Sequence, residues 1–254
     1  MEPFKRVHIL KLKKNSPEEA EDFIAVEKRL RILVNGQNLL NLYCTPLMVR
    51  ELAVGIIYNE GLIKGQWCAD RISIEYGDEI TADIPSSGEV YSAEATITSG
   101  CAGGVSLKSG GPEKKISDNT VFNPEMVKEL YREFQKRSEI FRLTGGVHSA
   151  ALAGDRGILA FAEDIGRHNA VDKVTGYCIL ENISFEGKMM MVSGRLSSEI
   201  VLKCSRCGIP LIVSRAAPTS LAVEIAESGG ITLVGFMRGD RMNVYTGEQR
   251  IHLQ

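Results

Sequence analysis

This sequence predicts an α/β protein with a β-rich first half and a second half in which strands and helices alternate. Three observations carry the expectation. From about residue 121 onward, short apolar runs alternate with segments of helical period, the pattern of a sheet covered by helices. Before that point, apolar residues alternate with polar ones or cluster as β-branched pairs. Finally, the strand-to-helix junctions of the second half are rich in Gly, Ser and Arg, residues that suit turns and helix starts.

In the first half, residues 7–12, 23–34, 70–75 and 90–98 read as strands. Asn35-Gly36 marks a hairpin between residues 30–34 and 39–43. Pro46 opens a helix to about Glu60 that stops at Gly61, with Leu47, Leu52 and Ile56 on its apolar face. Residues 99–119 shift to Gly, Ser, Lys and Pro and read as a mobile loop or linker.

In the second half, Asn123-Pro124-Glu125 starts a helix to about Arg137, followed by strands at 147–152 and 157–162 and a helix from Arg167 to about Glu181. Three units complete the chain: strand 188–192 with helix 197–207, strand 210–213 with helix 218–227, and strand 231–236. The expected sheet is largely parallel. One helix, two strands, then alternating helix and strand is also the layout of a cytidine-deaminase-like three-layer sandwich, an analogy that fixes no chemistry. The expected division is a β-rich subdomain over 1–120 and a deaminase-like α/β domain over 121–254.

With 254 residues, 44% hydrophobic and 24% charged, the chain can bury a sizeable core. A formal net charge of -2 supplies no bulk field toward nucleic acid or a membrane surface. No apolar run approaches the ~20 residues of a membrane span, so the cytoplasm is the expected compartment. The six cysteines are scattered, which favours reduced thiols over a disulfide framework.

The chemistry concentrates at strand-to-helix junctions. Glu163-Asp164-Ile165-Gly166-Arg167-His168-Asn169-Ala170-Val171-Asp172-Lys173 packs acid, base, imidazole and amide where a strand gives way to a helix, and reads as a functional turn. Two further junctions follow: Ser193-Gly194-Arg195-Leu196-Ser197-Ser198 and Ser214-Arg215-Ala216-Ala217-Pro218-Thr219-Ser220. All three belong at one sheet edge, where helix N-termini with Arg167, Arg195 and Arg215 favour a phosphate or pyrophosphate. His148, in Thr144-Gly145-Gly146-Val147-His148, is a candidate to join them.

Of the thiols, Cys204 and Cys207 have the spacing of a zinc or redox motif but sit at the end of a helix, with no second pair to complete a four-thiolate site. The deaminase zinc constellation is missing too, because Ala170 stands two places after His168 and the next helix start lacks thiolates. No metal site is expected. Cys44 and Cys178 read as small buried hydrophobes, and Cys68 is uninformative. Cys101 differs: Thr98-Ser99-Gly100-Cys101-Ala102-Gly103-Gly104 surrounds it with glycine, which suits a thiol that must move and be reached.

Together these segments resemble the formate dehydrogenase accessory sulfurtransferase family, usually called FdhD. The resemblance spans nearly the whole chain. It includes Val34-Asn35-Gly36, Cys44-Thr45-Pro46, Leu52-Ala53-Val54-Gly55 with Glu60-Gly61, Thr144-Gly145-Gly146-Val147-His148 and the long motif from Glu163 to Lys173. It continues through Ser193-Gly194-Arg195, Pro218-Thr219-Ser220-Leu221-Ala222-Val223 and residues 232–245.

The resemblance implies a sulfurtransferase that takes sulfur as a persulfide from a cysteine desulfurase. The sulfur would pass to the molybdenum or tungsten bis(pyranopterin guanine dinucleotide) cofactor, bound as substrate, before that cofactor enters apo formate dehydrogenase. It implies a homodimer, a persulfide on Cys101, and a cofactor-binding stretch at Phe236, Met237, Arg238, Gly239, Asp240 and Arg241. Gly166, Arg167, His168, Asn169, Ser193, Gly194, Arg195, Arg215 and His148 complete the expected cofactor site. The chain departs from the family's Cys-x-x-Cys loop motif, since Gly104 holds the second cysteine's place. That keeps open a non-catalytic chaperone that binds the cofactor without moving sulfur. A metal-dependent nucleotide deaminase or hydrolase is the remaining rival, on fold analogy alone.

Overall fold

The computed structural model describes residues 1–14, 16–65, 67–90 and 115–252, together with the backbone of 96–97 and 105–106. The chain opens with a two-stranded ribbon, β1 (Phe4–Lys13) and β2 (Ser16–Ala25). The strand expected over 23–34 is two strands, because the path breaks at Val26-Glu27 and β3 (Lys28–Val34) joins another sheet. β3 turns through Asn35-Gly36 into β4 (Gln37–Cys44); φ of 51° and 77° at the two turn residues is the left-handed pair a two-residue hairpin needs.

The predicted helix is α1 (Val49–Glu60), stopped by Gly61 at φ 60°. It starts after Pro46 because Met48 turns left-handed, and Leu47, outside the helix, is exposed rather than on its apolar face. β5 (Ile63–Lys64), β6 (Ser73–Tyr76), β7 (Ile80–Ile84) and β8 (Glu89–Val90) follow. β7, which the sequence reading omitted, pairs parallel with β3 and completes the sheet β4-β3-β7-β6. β9 (Thr96–Ile97) pairs with β10 (Val105–Ser106). The rest of the glycine-rich loop, Cys101 and Gly104 included, lies outside the described residues.

The second half runs α2 (Pro124–Lys136), α3 (Glu139–Thr144), β11 (His148–Gly154), β12 (Gly157–Asp164), α4 (Arg167–Leu180) and β13 (Met189–Val192). It ends with α5 (Ser198–Cys207), β14 (Leu211–Ser214), α6 (Ser220–Gly229), β15 (Thr232–Arg238) and β16 (Arg241–Thr246). The strand order is β12-β11-β13-β14-β15-β16. The sheet is mixed rather than largely parallel: β13, β14 and β15 pair in parallel, while β11 opposes both its neighbours and β16 opposes β15. The short turns at Asp155-Arg156 and Gly239-Asp240 dictate this, since a parallel connection needs a crossover of a dozen residues or more.

Alternation within each strand separates two cores. Met190, Val192, Ile212 and Leu233 face α4, α5 and α6, whereas Met189, Met191, Val213 and Val234 face α2 through Leu130, Tyr131 and Phe134. These are the three layers of the expected sandwich. α3 was not anticipated, and the backbone N–H groups of its second and third residues donate to Glu163, at 3.0 Å from Ile140 and 2.9 Å from Phe141. A carboxylate distant in sequence supplies the cap that no local residue provides.

α4 is buried on nearly every side, because α1 crosses its outer surface. The crossing is set by glycine on both helices. A Cβ on Gly55 would lie 1.8 Å from the carbonyl oxygen of Asp172, and one on Gly176 would lie 1.8 Å from that of Glu51. Either methyl forces the backbones apart. We expect Gly55→Ala and Gly176→Ala each to lower stability by about 3 kcal/mol, the upper end of overpacking costs, measured as a fall in the urea midpoint. An unchanged midpoint in both would show that the crossing is loose.

Candidate functional site

The three junctions do meet at one edge. In the sheet His148 stands opposite Asp164, Ala150 opposite Val192, and Val192 opposite Ser214, so the start of β11 and the ends of β12, β13 and β14 lie side by side. The loops are tied to one another. Leu196 N donates to Ala217 O at 3.2 Å, Thr219 N to Leu196 O at 3.0 Å, and Phe236 N to Ala216 O at 3.2 Å. Ser214 Oγ donates to Gly194 O at 2.7 Å and accepts from Ala216 N at 3.0 Å.

Gly194 leaves little room for a side chain. A Cβ there would lie 3.2 Å from Cβ and Cδ of Arg167 and 3.5 Å from Nδ1 of His148, so three candidate residues touch at this point. His148 Nδ1 is 3.3 Å from Ser193 Oγ, which also accepts from Ser149 N at 2.9 Å. Arg167 is buried, while Arg195 and Arg215 are exposed at the rim. The N-termini of α4 and α5 carry no side-chain cap; that of α6 is capped by Thr219 at 3.3 Å from Ala222 N.

Beside this edge lies a cleft of about 370 Å³, a size typical of small-molecule sites. His148, Ser193 and Arg215, three of the residues named from the sequence, line it. The opposite wall was missed: Tyr131, Phe134 and Gln135 from α2, Ser138 and Phe141 at α3, and Ser149. α2 reads as a plain amphipathic helix, and nothing in its sequence says that one end of its buried face reaches the strand ends.

The long Glu163–Lys173 motif divides between site and scaffold. Asp164 Oδ2 accepts from Thr45 N at 3.0 Å and pairs with Lys173 at 2.6 Å, both side chains being fully buried. Asp164 Oδ1 takes the N–H of Gly166 at 2.8 Å and the amide of Asn169 at 2.8 Å, and that amide also donates to Tyr43 O at 2.9 Å. Asp172 receives Lys203 on both oxygens at 2.7 Å and Asn59 Nδ2 at 2.7 Å; Lys203 also pairs with Glu60 at 2.9 Å. Burial opposes the charge on Lys203, but Asp172 and Glu60 outweigh it and hold the ammonium above its ordinary pKa. The functional turn of the sequence reading is therefore mostly a clamp between the two halves, with the Asn169 side chain spent on it.

His168 is buried and turned toward the start of α5, with Nε2 3.3 Å from Ser197 Oγ. Burial first, then Lys203 and Arg167, push its pKa down to about 4, so the ring is neutral near pH 7. His148 is shifted down too, by burial and then by Arg167.

In the expected stretch 236–241, Phe236 has φ 51° and its ring lies 5.7 Å beneath the guanidinium of Arg238. Arg238, Gly239, Asp240 and Arg241 are exposed, Asp240 being paired with Arg132. Met237 differs from its neighbours: its side chain alternates inward and is 1% exposed within the α2 core.

Four of the thiols are inert by environment. Burial raises Cys44, Cys178 and Cys207 to about 12 and lifts Cys204 well above its ordinary value, with Cys207 Sγ donating to Asn59 Oδ1 at 3.4 Å. Cys68 is exposed. Among the described residues no group of three or more His, Cys, Asp or Glu could hold a metal ion, and no helix is long and apolar enough to cross a membrane.

The fold and this edge define an α/β protein with a polar, arginine-rimmed crevice at the ends of its parallel strands. The FdhD/NarQ family model matches residues 25–252, and the chain belongs to that family. It is 37% identical to the sulfur carrier protein FdhD of Shouchella clausii, over 97% of this chain and 96% of that one. It is 37% identical to the Listeria monocytogenes protein of the same name, over 92% and 93%, and 34% identical to that of Bacillus subtilis, over 92% of each. A crystal structure from Desulfotalea psychrophila, described as a formate dehydrogenase accessory protein, superimposes with a TM-score of 0.82 at 26% identity, covering 99% of this chain and 100% of that one.

The His168 environment sets a pH dependence. Its folded pKa of about 4 lies below the unfolded 6.5, so the unfolded chain takes the proton first as pH falls. Stability is complete above about pH 6.5 and declines toward pH 4, by about 3 kcal/mol from this residue. Urea unfolding across this range should show a flatter profile for His168→Gln than for the wild type; parallel profiles would place the imidazole in contact with water.

Proposed function

We propose that this protein is a sulfur carrier serving formate dehydrogenase maturation. Cys101 accepts sulfur from a cysteine desulfurase as a persulfide and passes it to a molybdenum or tungsten bis(pyranopterin guanine dinucleotide) cofactor, the substrate. The relatives' names support the carrier role and the accessory role. The observation that carries the reading is the edge itself: Arg167, Arg195 and Arg215 beside the N-termini of α4, α5 and α6, a setting that favours the phosphates of a dinucleotide. Arg238 and the backbone of 236–241 extend it.

The buried thiols narrow the choice to Cys68 and Cys101, and the glycine-rich setting and the family resemblance favour Cys101. A persulfide acceptor must reach its donor as a thiolate, and burial denies that to Cys44, Cys178, Cys204 and Cys207. Within this reading the neutral imidazole of His148 orients Ser193 and can accept a hydrogen bond from the ligand, while His168 stays a structural group. The N-terminal part, 1–120, carries the thiol and the part 121–254 holds the cofactor's nucleotide arms. The protein acts as a cytoplasmic homodimer. Gly104, in place of a second loop cysteine, favours a second reading in which the protein holds the cofactor without transferring sulfur.

Incubation with a cysteine desulfurase and cysteine, followed by mass spectrometry, separates the two. A one-sulfur mass increase on Cys101 supports transfer, whereas an unmodified Cys101 leaves the chaperone. Cys101→Ala should abolish sulfuration and formate dehydrogenase activation while keeping affinity for guanosine diphosphate. Transfer of the label to Cys68 in that variant would move the acceptor there.

A further inference from the structure

The hydroxyl of Tyr131 occupies a place that a backbone hydrogen bond would ordinarily fill. β13 and β14 run parallel with Val192 opposite Ser214, the last residue of each strand. In a parallel ladder of this register the next rung joins the carbonyl of Val192 to the N–H of Arg215. Here Tyr131 Oη donates to Val192 O at 2.8 Å and accepts from Arg215 N at 2.8 Å, standing between the two groups. The cleft lies at these strand ends, with Tyr131, Ser193 and Arg215 in its wall. Tyr131 itself comes from the opposite layer, 1% exposed, with its ring packed at 5.2 Å against that of Phe134.

We infer that Tyr131 is a positioning residue for the ligand site, its hydroxyl wedging β13 and β14 apart and presenting Arg215 to the cleft. The inference rests on the proposed binding of a nucleotide phosphate at this edge. Its physical basis is accounting of polar groups. Both partners of the hydroxyl are backbone groups at strand ends; Val192 is buried, so its carbonyl must find a partner, while Arg215 N is only partly buried. Without the oxygen, the buried Val192 O loses its partner, and the closest backbone donor is Arg215 N, onto which it can close. Closure restores the ladder, draws Arg215 toward Ser193 and narrows the crevice. The cleft thus depends on one oxygen atom supplied by a helix that the sequence marks only as amphipathic.

The test is Tyr131→Phe in the full chain, a change that removes the oxygen and keeps the ring. Isothermal titration with guanosine diphosphate should show affinity falling about tenfold, as expected for losing one well-placed cationic or backbone contact. Persulfide loading of Cys101, which needs no cofactor, should be unchanged. Val127→Ala, in the same α2 core but outside the cleft wall, serves as the control for lost packing and should keep full affinity. Tyr131→Phe binding as tightly as the wild type overturns the inference alone. So does an equal loss in Val127→Ala, or a Tyr131→Phe chain that fails to fold, since either makes the hydroxyl merely structural. A wild-type chain that ignores guanosine diphosphate overturns the reading of the cleft itself, and the inference with it.

Discussion

The close crossing of α1 over α4 is the constraint on which the rest of the molecule depends. With Gly55 and Gly176 each facing the other helix's backbone, the two axes approach nearer than any side chain would allow. Small residues at a helix crossing usually serve such an approach, and the contact then extends over the length of both helices. The consequence is that α4, the helix that begins at the candidate site, has almost no solvent face. Its polar residues must be satisfied inside the protein or not at all.

Two networks do this, one at each end of the interface. Asp164 and Lys173 bind Thr45 and, through Asn169, Tyr43; Asp172 and Lys203 bind Asn59 and Glu60. Buried ion pairs are weak contributors to net stability, because desolvation offsets most of the attraction, but a mismatched partner is costly. They therefore act as register marks. Only one seating of the first half on the second satisfies both sets, and that seating holds the first turn of α4, with Arg167 and His168, against the ends of β13 and β14.

The strand ends supply the other half of the site. Parallel strands direct their carboxyl ends and the N-termini of the following helices to one edge, which is where α/β sheets commonly bind ligands. The antiparallel β11 brings His148 there from its opposite end. Glu163 extends the arrangement by capping α3, which carries Phe141 to the rim of the cleft. One acidic side chain at the end of β12 thus couples the sheet to the wall that faces it.

What was legible in the sequence alone rested on short-range chemistry. Asn35-Gly36 specifies its hairpin because both residues tolerate positive φ, and Asn123 before Pro124 starts α2 by accepting the N–H groups of Glu125 and Met126. The alternation of strand and helix, and with it the gathering of three junctions at one edge, follows from period and turn residues in the same way. Everything that needed a distant partner was decided by tertiary structure. α3 is helical because Glu163 caps it, the 23–34 segment splits because its parts join different sheets, and Met237 turns inward because β15 is packed on α2. Asp172 and Asn169 look like site residues in sequence, where only their polarity shows. Their partners Asn59 and Tyr43 lie in the other half of the chain, and no local pattern records a hydrogen bond across that distance.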